Sequence, residues 1–244
     1  NPSKTDFSDV RFALPDGTLL PYWREEYVDS DHAIFWVKVP SIPASGTTDI
    51  YIYYGNPDAV YDGDPEQVFE FFDDFDTLDT SKWVVYADAS VSDSILTLKE
   101  GAEGYNSIAT TTAFSTGKAL RFYAKYTLGG TYDTLNLGLA DSNDRVRAED
   151  NANAVMLYVD SGYTNKERLR DKVAGSEYNA DLQTKSDDTW REWELKWLAD
   201  KQVLECITTG ASVTLTYTLD YSFYIKISSK NPSAVWYVDW LFLR

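Results

Sequence analysis

Apolar and polar residues alternate with a period of two along much of this chain, the pattern of strands with one face buried. Asp9–Ala13 (DVRFA) alternates and is followed by a turn at Pro15, Asp16 and Gly17. Ala33–Val39 (AIFWVKV) and Asp49–Tyr54 (DIYIYY) are two further runs, separated by the turn-rich PSIPASGTT. Gly55, Asn56 and Pro57 stop the second of them. Later in the chain, strands are predicted at Ile95–Leu98, Ala119–Tyr126, Leu135–Ala140, Asn153–Val159 and Arg191–Trp197. Others follow at Gln202–Thr208, Ser212–Tyr217, Ser222–Ser228 and Ala234–Leu243. Helical signals are scarce. Pro65–Phe71 has a fair helix start, with Asp64 placed to cap and Pro65 at the first position. Asn165–Lys172 carries no clean apolar stripe, and the surrounding DSGYTNKERLR reads as a long loop.

Many short strands spaced by turns predict an all-β protein built as a sandwich or jelly roll. Residues 56–67 (NPDAVYDGDPEQ) read as a linker, which places a boundary near residue 66. The expected organisation is a small β domain over 1–66 and a larger antiparallel β-sandwich over 67–244. The first part shows few strand signals, thin for a self-contained sandwich. Either it packs on the second domain or some of its strands lie upstream. The 18 Tyr, 11 Phe and 8 Trp supply ample core material and favour strands.

Charge narrows the partners. With 22 Lys and Arg against 39 Asp and Glu, the net charge is −17. Such a field repels phosphate backbones and anionic leaflets, so neither nucleic acid nor direct membrane insertion is expected. Cations are the natural counter-ligands, although solubility alone accounts for such a balance. No run approaches the roughly 18 apolar residues of a membrane span. The chain opens at Asn1 rather than Met, so any targeting segment is expected upstream. The single cysteine, Cys206, reads as a small buried hydrophobe, and the single histidine, His32, falls in the other domain. Ser-His-Asp and Cys-His catalysis both lack their base.

Two family resemblances follow from particular motifs. DVRFALPDGTLLPYWREEY and AIFWVKVPSIPASGTTDIYIYYGNP, within Asp9–Gly55, resemble domain of unknown function 2341, found in surface proteins of archaea and bacteria. The copy looks truncated at its start. The remainder resembles the concanavalin-A-like lectin/glucanase superfamily, through FFDDFDTLDTSKW, WREWELKW and VWYVDWLFLR. That resemblance implies a jelly roll with its first and last strands side by side, while the resemblance of the first part implies an extracellular or cell-surface location. The jelly-roll resemblance fixes fold more than function.

Glycosidases of that superfamily carry carboxylates on alternating positions of one strand, so that two can flank the scissile bond. Here the nearest run, Glu192-Trp193-Glu194-Leu195-Lys196-Trp197, has two acids and then a lysine. Its apolar alternation fits a core strand with a charged outer face. The pairs Asp73–Asp74, Glu149–Asp150 and Asp187–Asp188 are adjacent and would point to opposite faces if extended. No active site is expected. A structural Ca²⁺ is implied by the resemblance, with Asp73 or Asp76, the Gly101–Gly104 turn (Gly104 in particular) and Asp239 as ligands. The alternative is that these acids cap turns or face water. Glycan binding would use aromatic faces, and Tyr132, Tyr158, Tyr163, Tyr178 and Trp190 are the candidates, placed at strand ends or in loops. Most aromatics of such a domain are core.

The expected function is a non-catalytic binding or adhesion module, carbohydrate-binding, within a larger cell-surface protein and with glycans or other surface proteins as partners. A structural subunit of a surface layer, filament or virion is the alternative. A glycoside hydrolase or lyase with an atypical site ranks below both.

Overall fold

The computed structural model describes residues 3–100, 107–145, 147–162 and 164–244. The chain divides into two compact units that meet between Phe72 and Asp73.

In the first unit, β1 (Arg11–Ala13) pairs antiparallel with β4 (Tyr51–Tyr53), and β2 (Tyr22–Val28) pairs with β3 (His32–Val37). The β2–β3 turn is tight, and Ser30 takes a left-handed conformation there. Val10, Phe12, Leu20 and Tyr22 form a small core, backed by Phe35, Val37 and Tyr61. Tyr22 donates from its hydroxyl to Asp62, which also holds Arg11 at 3.1 Å. The helix expected over Pro65–Phe71 is the single turn α1 (Pro65–Val68), with Asp64 accepting from the Glu66 backbone N–H. Phe69 ends it in extended conformation. A short strand, β5 (Phe71–Asp73), spans the division.

The second unit contains β6 (Trp83–Val85), β7 (Asp88–Ser92), β8 (Ile95–Lys99), β9 (Ser107–Thr110), β10 (Lys118–Leu128), β11 (Thr134–Ala140) and β12 (Ala154–Asp160). It continues with β13 (Lys166–Val173), β14 (Ser176–Thr184), β15 (Arg191–Trp197), β16 (Gln202–Cys206), β17 (Ala211–Leu215), β18 (Tyr224–Lys230) and β19 (Ala234–Leu243). One sheet runs β14-β13-β12-β11-β18-β9-β6, and the other runs β17-β16-β15-β10-β19-β8-β7. Their strand pairs are antiparallel.

The two sheets face each other across a closed core. Leu120, Phe122, Leu135, Leu137, Leu157, Leu195, Trp197 and Ile227 are all fully buried. Polar ties cross the core as well. The Tyr126 hydroxyl on β10 donates to Glu167 of β13 at 2.7 Å, and Trp197 Nε1 donates to the Leu219 carbonyl at 3.0 Å. Cys206 is free and fully buried.

The region expected to be a long loop is the β12–β13 connection and a strand. Glu167, Leu169 and Asp171 face the core, whereas Arg168, Arg170 and Lys172 face outward. With charges on both faces, no apolar alternation marks it.

Candidate functional site

The register fixes which side chains share the outer face of the first sheet. Tyr158 lies between Asn136 of β11 and Arg168 of β13; Met156 lies between Gly138 and Arg170. On the other side, Asn136 and Gly138 adjoin Ser228 and Lys226 of β18. A thirteen-residue excursion between β11 and β12 turns back over this face instead of closing a plain hairpin. Its base is clamped by Asp141, whose carboxylate accepts from the Asn153 backbone and side-chain N–H groups at 3.0 and 2.8 Å.

From that base a strap, Asp141–Arg145 and Arg147–Asn151, is pinned in sequence to the strands beneath it. Lys226 donates to the Ser142 carbonyl at 3.0 Å and to Asp144 at 3.1 Å. Ser107 donates to the Asp144 carbonyl, and the Ala148 N–H donates to Ser228 Oγ. The strap then reaches Glu149, in a single 3-10 turn (Ala148–Asp150). The Glu149 carboxylate is nearly buried and accepts from Thr134 Oγ1 at 2.9 Å, from Arg170 Nη1 at 3.2 Å and from Arg147 Nη1. Lys172 donates to its carbonyl at 2.7 Å. Arg147 also grips Asp150 through two nitrogens, at 2.8 and 3.0 Å. The Arg170 guanidinium carbon sits over the Tyr158 ring, 3.4 Å from its centroid, and Arg170 donates to Asn179. Burial, and next the Glu149 charge, push the Tyr158 hydroxyl up to about 12.

Beside this network lies an open cleft of about 570 Å³, in the size range of small-molecule sites. Tyr132, Thr134, Tyr158, Arg147, Glu149 and Lys230 are among the residues lining it. Tyr132 stands on its rim, 53% exposed. Its backbone is left-handed, with φ +67°, a sparsely populated conformation for a bulky residue. The cause is next to it: buried Asp133 accepts from the N–H groups of Gly129 and Gly130 and from Asn231 and Ser233, which locks the loop. A Cβ on Gly162 would sit 2.8 Å from the Tyr132 ring, so the glycine leaves room for it.

Of the five aromatic candidates, Tyr132 and Tyr158 come together in this cleft. Tyr158 lies within β12, not at its end. Tyr178 lies within β14 and packs on Tyr217, with ring centroids 3.9 Å apart. Trp190 immediately precedes β15 of the other sheet and stacks on Tyr123 of β10 at 5.1 Å. Tyr163 and Gly104 lie outside the described residues.

The acids named for calcium have mixed occupations. Asp73 accepts from Trp83 Nε1 at 2.6 Å and from the Phe75 N–H at 2.8 Å, so both its oxygens fasten the fold. Asp76 accepts from Ser94 Oγ. Asp239 is the extra residue of a bulge in β19, opposite Tyr123 and Ala124. Burial, and next the Asp74 charge, raise its carboxyl above the ordinary range. Among the described residues, no three His, Cys, Asp or Glu side chains are grouped to hold a metal.

Two packed antiparallel sheets in this order make the larger unit a concanavalin-A-like jelly roll, the fold of glucanase and lectin domains. A β-1,3-glucanase from Mycobacterium marinum is similar over 72% of this chain and 98% of its own, with a TM-score of 0.56 and 13% identity. An endo-β-1,3-glucanase from Pyrococcus furiosus is similar over 72% and 93%, with a TM-score of 0.57 and 11% identity. The carbohydrate recognition domain of Emp47p is similar over 70% and 92%, at 0.53 and 10%. These identities speak to fold alone. In sequence, residues 6–86 match the family model described as Domain of unknown function (DUF2341), the resemblance read from the first part. An uncharacterised protein of Methanocaldococcus jannaschii, MJ1472, is 31% identical over 115 residues. That match covers 45% of this chain and 21% of the relative, so the chain spans about a fifth of that protein's length.

Proposed function

We propose that the larger unit is a non-catalytic glycan-binding module of a cell-surface protein, and that its ligand enters the cleft beside Glu149. The observation that carries this reading is Tyr132, a half-exposed ring held in a strained backbone conformation at the rim of a polar cleft. Sugar rings offer C–H faces to aromatics and hydroxyls to fixed polar groups, and this cleft supplies both. Fold similarity to a carbohydrate recognition domain and to glucanases agrees with such a ligand. Glu149 argues against hydrolysis, because its two oxygens are engaged by two guanidinium groups and a hydroxyl. A general acid or base must present an oxygen to its substrate, and both oxygens here are already held by protein donors. The cell-surface placement rests on the resemblance of the first part.

A glycan array probed with the intact protein should show binding, and Tyr132→Ala should weaken it by roughly tenfold, about 1.4 kcal/mol, without changing the circular dichroism spectrum. Release of new reducing ends from a bound glycan would replace this reading with an enzymatic one. Binding to nothing on the array would remove it.

A structural Ca²⁺ at Asp239, expected with Asp73 or Asp76 and Gly104 as its other ligands, belongs to the same proposal, and Asp74 adds a further negative charge acting on Asp239. Two carboxylates that repel each other would gain from a cation, with backbone carbonyls completing a shell of six to eight oxygens. The melting temperature should then rise in millimolar calcium relative to EDTA, and Asp239→Ala should abolish the difference. Equal melts in both buffers would discard the metal.

The structural-subunit reading keeps one observation of its own. Tyr51, Ile52, Tyr53 and Tyr54 are each at least half exposed, a run of large side chains suited to a protein contact.

A further inference from the structure

The sheet that carries the cleft has a second half, and the strap closes it. On the outer face of β11, β18 and β9, the side chains Asn136, Ser228, Lys226 and Ser107 are fully buried, as is Met156 of β12. These residues form a mostly polar floor of the kind that lines a groove, yet strap residues Ser142, Asp144 and Ala148 occupy its donors and acceptors. Both amide atoms of Asn136 lack a protein partner there. A chain lying across the strands from β14 toward β9 would therefore meet the strap at Glu149 and stop. The wall is braced from both sides, since Glu149 is tied to Thr134 on β11 and to Arg170 and Lys172 on β13.

We propose that the cleft binds the terminal residues of a glycan chain, with the strap as the wall that excludes internal segments. This rests on the reading of the cleft as a sugar site and adds the mode of recognition. A groove open at both ends gains contacts as the chain lengthens. A pocket closed by the strap accepts one chain end and gains nothing from units that project into solvent.

The test uses the intact protein and the tightest-binding glycan of an array that carries β-1,3-glucan, chitin, mannan and galactan oligosaccharides of two to eight units together with mucin-type O-glycans. Titration calorimetry along the length series of that glycan, or along a graded truncation series for a branched one, gives Kd per chain end. Kd should level off by about three units and stay within about twofold beyond. Removing the terminal sugar with an exo-acting glycosidase should abolish binding of a chain whose internal units differ from its end. A second variant replaces residues 142–152 by Asn-Gly, which joins Asp141 to Asn153 through a two-residue hairpin turn. It also removes Arg147, Glu149 and Asp150 from the cleft lining, so short chains should bind more weakly. It should expose the floor and restore length dependence, with Kd falling about tenfold from three units to eight.

A wild-type Kd that already falls tenfold over that range overturns the closed-end mode while leaving the sugar site standing. So does a hairpin variant that folds and keeps the wild-type profile. If the variant does not fold, the wild-type series decides alone. Binding to no glycan of the array overturns the sugar site itself, and the closed-end mode falls with it.

Discussion

Replacing Glu167 with alanine should destabilise the larger unit by about 3–5 kcal/mol, the usual penalty for removing one partner of a buried ion pair. Glu167 is fully buried on the core face of β13 and accepts from the Tyr126 hydroxyl at 2.7 Å, from Arg191 Nη1 at 2.9 Å and from Gln183. Tyr126 and Arg191 come from β10 and β15, so this one carboxylate fastens the two sheets together. Burial first, and then the Glu167 charge, raise the Tyr126 hydroxyl far above the ordinary range, so it stays a donor at any working pH. In the alanine variant the guanidinium of Arg191, mostly withdrawn from water, loses its counter-charge. The cost is desolvation without compensation, not the net worth of the pair. Glu167→Gln, which keeps an acceptor for Tyr126, should lose less. The triple change Glu167→Met, Arg191→Leu, Tyr126→Phe should recover much of the stability by removing every charge at once. Urea unfolding followed by near-UV circular dichroism reads all three, and an alanine midpoint equal to wild type would mean that the network contributes nothing.

That network also shows why part of the molecule was illegible beforehand. Arg191–Trp197 and Ala234–Leu243 alternate cleanly and are strands β15 and β19. Leu135–Ala140 and Asn153–Val159 announce themselves as apolar runs, because the strap buries the face that would otherwise be polar. In β13 and β14 the pattern fails. Glu167 and Asp171 occupy core positions, and arginines and a lysine occupy the outer ones, so period two survives in geometry but not in polarity. The cleft suffered in the same way. Tyr132 and Tyr158 were visible as aromatics near turns, whereas Glu149 and Asp150 registered only as adjacent acids. Nothing local tells that the excursion after β11 folds back to lay Glu149 against Arg170, twenty-one positions later. That juxtaposition is a property of the strap's pins, Lys226 and Ser228, which lie far along the chain.

Asp171 should make the larger unit lose stability as pH rises from about 4 to about 7, and Asp171→Asn should remove that loss. Its side chain points into the core from β13, fully buried, opposite Tyr178 of β14 and Val155 of β12. Neither carboxyl oxygen has a protein partner, and burial alone pushes its pKa up to about 7. In the unfolded chain the group returns to the ordinary carboxylate value of 3.8. Between these two values the folded state holds a proton that the unfolded state has released, so stability falls as pH rises through this window. The stabilising contribution is complete below about pH 4 and gone above about pH 7, a change on the order of 4 kcal/mol. Asparagine is uncharged at every pH and close in shape to the protonated acid. The two proteins should therefore melt within a few degrees of each other at pH 4, while at pH 8 the variant should be more stable by about 2–4 kcal/mol. The difference between the two melting curves isolates this residue from the many exposed acids of a chain at −17 net charge, which titrate alike in both. Parallel curves from pH 4 to pH 8 would show that Asp171 is solvated or paired in solution, and would end the argument for a neutral core carboxyl.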